Sequence, residues 1–300
     1  MAALQIFGAV GKATTRTMVD AMLQSVSGAL PVPVVVALSP DADSAGLPWQ
    51  DALAGLAEDA HVVVNADAVA VPATSASVTT FGLTAGASIR ASDVDATLDG
   101  TGFTLIVDSE QRRVQLGLLG EHQVTNALAA ISVAVACGIP LEAAVTALEN
   151  LGGLGRGRME RLDAAQDVVV INDTISAAPQ SVSAALKALT QIAGERRSVA
   201  VLGELSVGDE DSQAAHDRIG RLVVRLNIKK LIVVGYGARH IHNAAGLEGS
   251  WDGESVLLDT PGQAYDFLRE ELRQQDVILV KSSAASSLSD LADRLAGATR

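Results

Sequence analysis

The residues near the start of the chain whose types and spacing could do chemistry are Gly8, Gly11 and Lys12, followed by the hydroxyls of Thr14 and Thr15. A short apolar run precedes them and a helical apolar pattern follows. A glycine turn between a strand and a helix leaves backbone N–H groups free at a helix N-terminus, where the dipole favours an anion, and a lysine there can reach outer phosphates. The segment therefore predicts a phosphate-binding loop.

This loop departs from the general motif G-x-x-x-x-G-K-[ST] at two positions. Ile6 stands where the first glycine is expected, and Ala13 stands where a hydroxyl would bind Mg²⁺. The spacing alone also fits an ordinary glycine turn between a strand and a helix. Both interpretations stay open at this point.

Composition limits the class of partner. A formal net charge of −13 over 300 residues argues against nucleic acid, and an aromatic content of 3% leaves few rings for base stacking. The single cysteine, Cys137, can form neither an intrachain disulfide nor a cysteine metal cluster. No apolar run has the length of a membrane span and no signal peptide is visible, so we expect a cytoplasmic protein.

Two further patterns are weak. The five histidines do not show the spacing of zinc ligands, and no metal site is predicted. Gly235-Tyr236-Gly237 is similar to the beginning of a dinucleotide fingerprint, but the third glycine is missing, so a nicotinamide site is not favoured.

The elements that must position these residues follow from periodicity. In the first half, predicted strands at 32–38, 61–65 and 78–82 precede an antiparallel meander at 89–98, 103–108 and 113–118, with helices at 48–58, 120–138 and 141–151. In the second half, predicted strands at 168–172, 198–202, 231–234, 255–258 and 277–281 alternate with helices at 179–191, 212–226, 261–273 and 285–296. Regular alternation indicates an α/β fold with a mostly parallel sheet covered on both faces. A glycine-rich stretch at 152–158 is the predicted boundary between domains 1–153 and 154–300.

Several segments resemble a known family when they are taken in order. They are residues 8–15, 62–67, 120–130, 157–160, 172–181, 201–205 and 280–283. Together they resemble the motifs of the Mur ligases over nearly the whole chain, most clearly from residue 117 onward. The resemblance implies a shortened P-loop ATPase-like domain followed by a Rossmann-like C-terminal domain. It also implies an ATP-dependent peptide ligase of cell-wall precursor synthesis, which forms an acyl phosphate and then an amide bond.

The resemblance also assigns roles to individual residues. Lys12 would contact the outer phosphates of ATP within the cradle that contains Gly8 and Gly11, with Thr14 and Thr15 as minor phosphate contacts. Asn126 would lie beside the adenine. Arg158 would reach the terminal phosphate, and Asp173 would hold the ribose. Lys12 and Arg158 are the predicted catalytic residues.

Other positions depart from the family pattern. The resemblance begins at the phosphate loop, so the family's N-terminal substrate domain is not represented, and part of the central domain, including a metal-binding glutamate, is shortened. ATP is the expected nucleotide, whereas Mg²⁺ would be held mainly by that nucleotide and by water. A cell-wall peptide precursor is the expected substrate partner. Two alternatives to an active ligase stay open: a catalytically inactive relative that binds a nucleotide or a protein, and a fragment without function. A homodimer would be one way to cover a free sheet edge in any of these cases.

Overall fold

A computed structural model of the chain describes two compact units, Met1–Gly153 and Leu154–Arg300. The described residues are 4–26, 28, 30–40, 48–53, 56–57, 59–71, 73–208, 210–249, 251–284, 286 and 288–298.

The first unit contains one sheet whose strands follow one another in chain order. Within the described ranges its seven strands are β1 (Leu4–Phe7), β2 (Val34–Ala37), β3 (His61–Asn65), β4 (Ser77–Gly82), β5 (Ile89–Thr97), β6 (Gly100–Val107) and β7 (Glu110–Leu116). Strands β1 to β5 pair in parallel, and β5, β6 and β7 form an antiparallel meander. The predicted meander is confirmed. Parallel pairing places the carboxyl ends of these strands, and the loops that follow them, at the same end of the sheet.

Helices cover this sheet. They are α1 (Lys12–Ser25), α2 (His122–Ala136) and α3 (Leu141–Glu149), with a 3-10 helix at Trp49–Leu53. Met18 and Met22 of α1 are fully buried, and α1 packs against α2 and α3. Trp49 belongs to an apolar cluster that includes Phe7, Val35 and Val62. Helix α1 is therefore held by its buried face, which fixes the loop in front of it.

Helix α2 ends as its sequence predicts. Gly138 adopts a φ of +73°, a left-handed conformation that glycine adopts without a steric penalty. The N–H of Ile139 donates to the carbonyl of Ala134 at 2.9 Å, and the N–H of Gly138 donates to that of Val135 at 2.9 Å. This pattern is a Schellman cap, which satisfies carbonyls at the end of the helix.

The second unit is built around a second sheet. In the part of the chain that the structure describes, the sheet has the order β12-β11-β10-β13-β9-β8. The strands are β8 (Glu160–Asp163), β9 (Val169–Asp173), β10 (Ser198–Leu202), β11 (Lys230–Val234), β12 (Glu254–Leu258) and β13 (Val277–Lys281). The helices are α4 (Pro179–Ala193), α5 (Ser212–Arg225), α6 (Arg239–Gly246), α7 (Pro261–Glu271) and α8 (Leu288–Ala298). All neighbouring strands are parallel except β8, which pairs antiparallel with β9.

The α/β prediction is confirmed, and three details are corrected. The helix predicted at 48–58 is the shorter 3-10 helix at Trp49–Leu53, while residues 54, 55 and 58 lie outside the described ranges. Strand β8 was not predicted, because its polar, half-exposed sequence lacks the apolar run of a buried strand. Helix α6 was not predicted either, because it is only eight residues long and has few apolar positions.

Candidate functional site

The glycine loop lies between the end of β1 and the first residue of α1. Gly8 and Gly11 have φ values of +142° and +87°, which L side chains rarely adopt. A Cβ atom on Gly11 would lie 2.2 Å from Oδ1 of Asn126, and one on Gly8 would lie 2.9 Å from Cβ of Leu38. Both positions therefore need glycine for conformation and for space. A loop of this shape in front of a helix N-terminus fits the phosphates of a nucleotide.

Lys12 is the first residue of α1 and is half-buried. Its ammonium group donates a hydrogen bond to the carbonyl oxygen of Gly8, across the loop. The lysine charge is thus held over the loop by the loop's own backbone. An incoming phosphate would have to share or replace this hydrogen bond, and it would bring a stronger, charged acceptor to the same ammonium group.

The two threonines after the loop have different environments. Thr14 is half-buried, whereas Thr15 is fully buried and its Oγ1 has no hydrogen-bond partner among the residues described. The backbone N–H of Thr15 donates to the carbonyl of Gly11 at 2.8 Å, which is the first hydrogen bond of α1. A phosphate contact by either threonine stays a prediction.

Asn126 lies on α2 and is buried against the loop, with an exposed fraction of 5%. Its side-chain Nδ2 donates to Oε1 of Gln123 at 3.0 Å, and Nε2 of Gln123 lies 3.1 Å from Nε2 of His122. Its Oδ1 occupies the space beside Gly11 that a Cβ atom would need. The structure thus brings Gly8, Gly11, Lys12 and Asn126 together in the first unit.

Two residues at the carboxyl ends of β2 and β3 make hydrogen bonds at or near the loop, and one of them, Ser39, was not identified from the sequence. Ser39 follows β2, and its Oγ accepts a hydrogen bond from the N–H of Ala9 at 3.0 Å. Asn65, the last residue of β3, donates to the carbonyl of Leu38 at 2.9 Å. The signal for Ser39 was its place at the carboxyl end of a parallel strand, where sites of open α/β sheets gather.

The remaining predicted residues, Arg158 and Asp173, lie in the second unit. Asp173 ends β9, and its Oδ2 is 2.8 Å from Nζ of Lys281, the last residue of β13. Its Oδ1 accepts a hydrogen bond from the N–H of Met159 at 3.2 Å. Arg158 is half-buried and its side chain makes no hydrogen bond or ion pair with another described residue. Sequence reasoning noted Lys281 within a motif and gave it no role.

A metal ion held by protein side chains does not fit the described residues. Among them, no three His, Cys, Asp or Glu side chains converge in a way that could hold a metal ion. The residue after Lys12 is Ala13, which has no hydroxyl to offer. Within the same residues, no helix is both long enough and apolar enough to cross a membrane.

Fold and site together define a two-unit α/β protein with a glycine loop before its first helix and a second, Rossmann-like unit. Comparison with known proteins identifies its family. Residues 52–134 match the Mur ligase middle domain, and residues 157–284 match the Mur ligase glutamate ligase domain. The chain therefore belongs to the Mur ligase family. The glycine loop precedes the range matched by the middle domain.

Several curated relatives are ligases that add D-alanyl-D-alanine. The UDP-N-acetylmuramoyl-tripeptide–D-alanyl-D-alanine ligase of Mycobacterium leprae is 45% identical over 199 residues, covering 61% of this chain and 38% of the relative. The ligase of the same name from Escherichia coli is 27% identical over 209 residues, covering 69% of this chain and 44% of the relative. The chain thus spans less than half the length of these relatives.

Solved structures agree on the fold. MurF from Acinetobacter baumannii superposes with a TM-score of 0.80 at 21% identity, covering 99% of this chain and 76% of that one. MurF ligase from Thermotoga maritima, solved in complex with ADP, gives a TM-score of 0.78 at 17% identity, covering 99% and 80%.

Proposed function

We propose that this chain carries the ATP-handling part of a Mur-type amide ligase of peptidoglycan precursor synthesis. In this proposal 1–153 is a shortened central ATP-binding domain and 154–300 is the C-terminal Rossmann-like domain. The observation that carries the proposal is the loop itself, in which Gly11 packs on Asn126 and α1 begins at Lys12. Relatives that carry the name of a D-alanyl-D-alanine ligase support the substrate class.

In the proposed mechanism, the protein groups bind the nucleotide and neutralise charge, while the substrates carry out the two displacements. Lys12 and the loop N–H groups hold the outer phosphates and reduce the repulsion that an attacking carboxylate would meet. The carboxylate oxygen attacks the terminal phosphorus, ADP leaves, and an acyl phosphate forms. The incoming amine then attacks the carbonyl carbon and phosphate leaves. Arg158 neutralises the transferred phosphoryl group, while Asn126 and Asp173 lie beside the adenine and the ribose.

Other parts of the proposal concern partners. The UDP-linked peptide substrate, the acceptor dipeptide, a separate substrate-binding partner, a homodimer and a cytoplasmic location all remain predictions. Magnesium would be held mainly by the phosphates of ATP and by water, because Ala13 offers no hydroxyl after Lys12 and Mg²⁺ usually keeps several waters when it binds substrate phosphates.

The decisive test is a calorimetric titration of the full chain with ATP, with and without Mg²⁺. We expect micromolar binding by the wild type. A charge-assisted hydrogen bond contributes enough that Lys12→Met should weaken ATP binding by about tenfold or more. Lys187 is exposed on α4 and gives a matched control, because Lys187→Met removes the same charge far from the loop in sequence and should leave the affinity unchanged.

Absence of ATP binding by the wild type would contradict the proposal and favour the inactive relative. If ATP binds, the second step is turnover with a UDP-linked tripeptide and D-alanyl-D-alanine, with a separate substrate-binding domain added. Release of ADP and phosphate that depends on the dipeptide would support ligation. Binding without any such release would limit the function to nucleotide binding.

A further inference from the structure

A buried lysine lies at the carboxyl end of the second sheet. The Lys281 side chain is 0% exposed and its Asp173 partner is 13% exposed, with 2.8 Å between Nζ and Oδ2. The same ammonium group donates to the backbone carbonyl of Ser176, just after β9. A charge removed from water in this way is tolerated only with a partner and hydrogen bonds, and breaking such a pair leaves an uncompensated buried charge.

The aspartate transmits this constraint to the turn that carries Arg158. Its other oxygen, Oδ1, accepts from the N–H of Met159, whose φ of +50° lies in the left-handed region. The N–H of Gly157 donates to Oε2 of Glu160 at 2.9 Å, and the carbonyl of Gly157 accepts from the N–H of Ile175 at 3.2 Å. The backbone on both sides of Arg158 is therefore tied to the end of β9 and the loop after it.

The Arg158 side chain itself makes no hydrogen bond or ion pair with another of the described residues. Its direction is therefore set by the turn from Gly157 to Met159. We propose that Lys281 is a positioning residue: by holding Asp173 against the N–H of Met159, it fixes the turn that presents Arg158 to the terminal phosphate. This inference rests on the proposed function for the identity of the phosphate, whereas the fixing of the turn stands on the contacts alone.

Direct contact of Lys281 with a nucleotide is disfavoured by burial. Its side chain is fully inaccessible, and its ammonium group already has an anionic partner and a carbonyl acceptor. A lysine that bound phosphate itself would be reachable from solvent, as half-buried Lys12 is. Lys281 therefore acts through Asp173 and the turn.

The first measurement is hydrogen–deuterium exchange of the full chain, read on the peptide that contains residues 157–160. Lys281→Met should speed exchange at Met159. The matched control is Lys230→Met. Lys230 is also buried and paired, 2.8 Å from Glu254, but it is the first residue of β11 and so lies at the amino ends of the parallel strands, whereas Lys281 lies at their carboxyl ends. Lys230→Met should leave exchange at Met159 unchanged. If Lys281→Met does not fold, the double variant Asp173→Asn/Lys281→Met removes both charges but keeps an amide oxygen that can accept from the N–H of Met159, and it should show the same faster exchange.

The second measurement is a double-mutant cycle on ATP affinity. Loss of a charge-assisted contact predicts that Lys281→Met weakens ATP binding by about tenfold when Arg158 is present. The same change should have a smaller effect in the Arg158→Ala background, because the loss that acts through Arg158 is already complete and only the effect through Asp173 at the ribose remains. Additive losses, or unchanged exchange at Met159 in a folded variant, would overturn the positioning role. If the wild type binds no ATP, the proposed function fails, and the exchange result still decides whether Lys281 fixes the turn.

Discussion

Gly11 and Asn126 pack together and so fit the glycine loop closely against helix α2. Oδ1 of Asn126 occupies the place that a Cβ atom on Gly11 would fill, at a distance of 2.2 Å. The amide of Asn126 is in turn held by Gln123 at 3.0 Å. The shape of the loop is therefore set by a residue far along the chain as well as by its own glycines.

The first prediction concerns Gly11→Ala. A left-handed conformation costs a residue with a Cβ about 1–2 kcal/mol, and the clash with Asn126 adds to it, so both stability and ATP affinity should fall. Chemical unfolding and calorimetry measure the two effects. Gly138→Ala is the control, because Gly138 also has a positive φ, of +73°, but nothing lies within 4 Å of its added Cβ.

The double variant Gly11→Ala/Asn126→Ala should recover part of the lost stability, since the clash is gone and only the backbone strain remains. Equal losses of stability in Gly11→Ala and Gly138→Ala would show that the contact between Gly11 and Asn126 does not constrain the loop.

The second prediction concerns the unpaired hydroxyl of Thr15. Because Oγ1 is buried without a hydrogen bond to another described residue, Thr15→Val replaces an unsatisfied polar group by a methyl of similar shape. The variant should unfold at equal or higher denaturant concentration, with a gain of up to about 1 kcal/mol, and its ATP affinity should be unchanged. A clear loss of ATP affinity would instead show that the hydroxyl reaches the phosphates, as the family resemblance implies.

The third prediction concerns the buried pair Arg197–Asp276, which lies at the amino ends of β10 and β13 in the second sheet. Asp276 is 0% exposed and takes hydrogen bonds from Nε and Nη2 of Arg197 at 2.8 and 2.6 Å. Asp276→Ala should therefore lower the free energy of unfolding by about 3–5 kcal/mol, because it leaves a largely buried guanidinium unpaired.

The control for that variant is Asp163→Ala. Its carboxylate is 68% exposed and pairs with Arg161 at 2.7 Å, so the loss should stay below about 1 kcal/mol. Equal losses in the two variants would contradict the importance of burial.

The fourth prediction concerns pH. Burial lowers the pKa of His61, whose Nε2 lies 2.8 Å from Oγ1 of Thr79. A histidine with a lowered pKa in the folded state favours the neutral form, so its contribution is complete above the unfolded pKa of about 6.5 and is lost as pH falls below it. Unfolding between pH 7.5 and 5.5 should therefore show a smaller decline in stability for His61→Gln than for the wild type. An identical decline would show that His61 is not coupled to folding.

The sequence alone predicted those elements whose signals are local. The apolar spacing of α2, the glycine that ends it and the alternation of strands and helices after Gly157 depend on neighbours within a few residues, and the structure confirms them. It missed β8 and α6, because one is a charged edge strand and the other a single short polar helix. Strand β8 forms by antiparallel pairing with β9, and α6 packs on α5; these are contacts of the folded chain that the apolar spacing of the two short segments does not encode.

The glycine loop likewise shows both kinds of information. Glycine, lysine and the helix start were readable in the sequence, because a phosphate loop is a local motif. The tertiary structure decided which side chains lie against it: Asn126 against Gly11, and Ser39 against Ala9. In the second unit it likewise decided that Lys281 pairs with Asp173. The Ser39 and Lys281 contacts join segments at the carboxyl ends of neighbouring parallel strands, which pairing places side by side, whereas the Asn126 contact depends on the packing of α2 against α1.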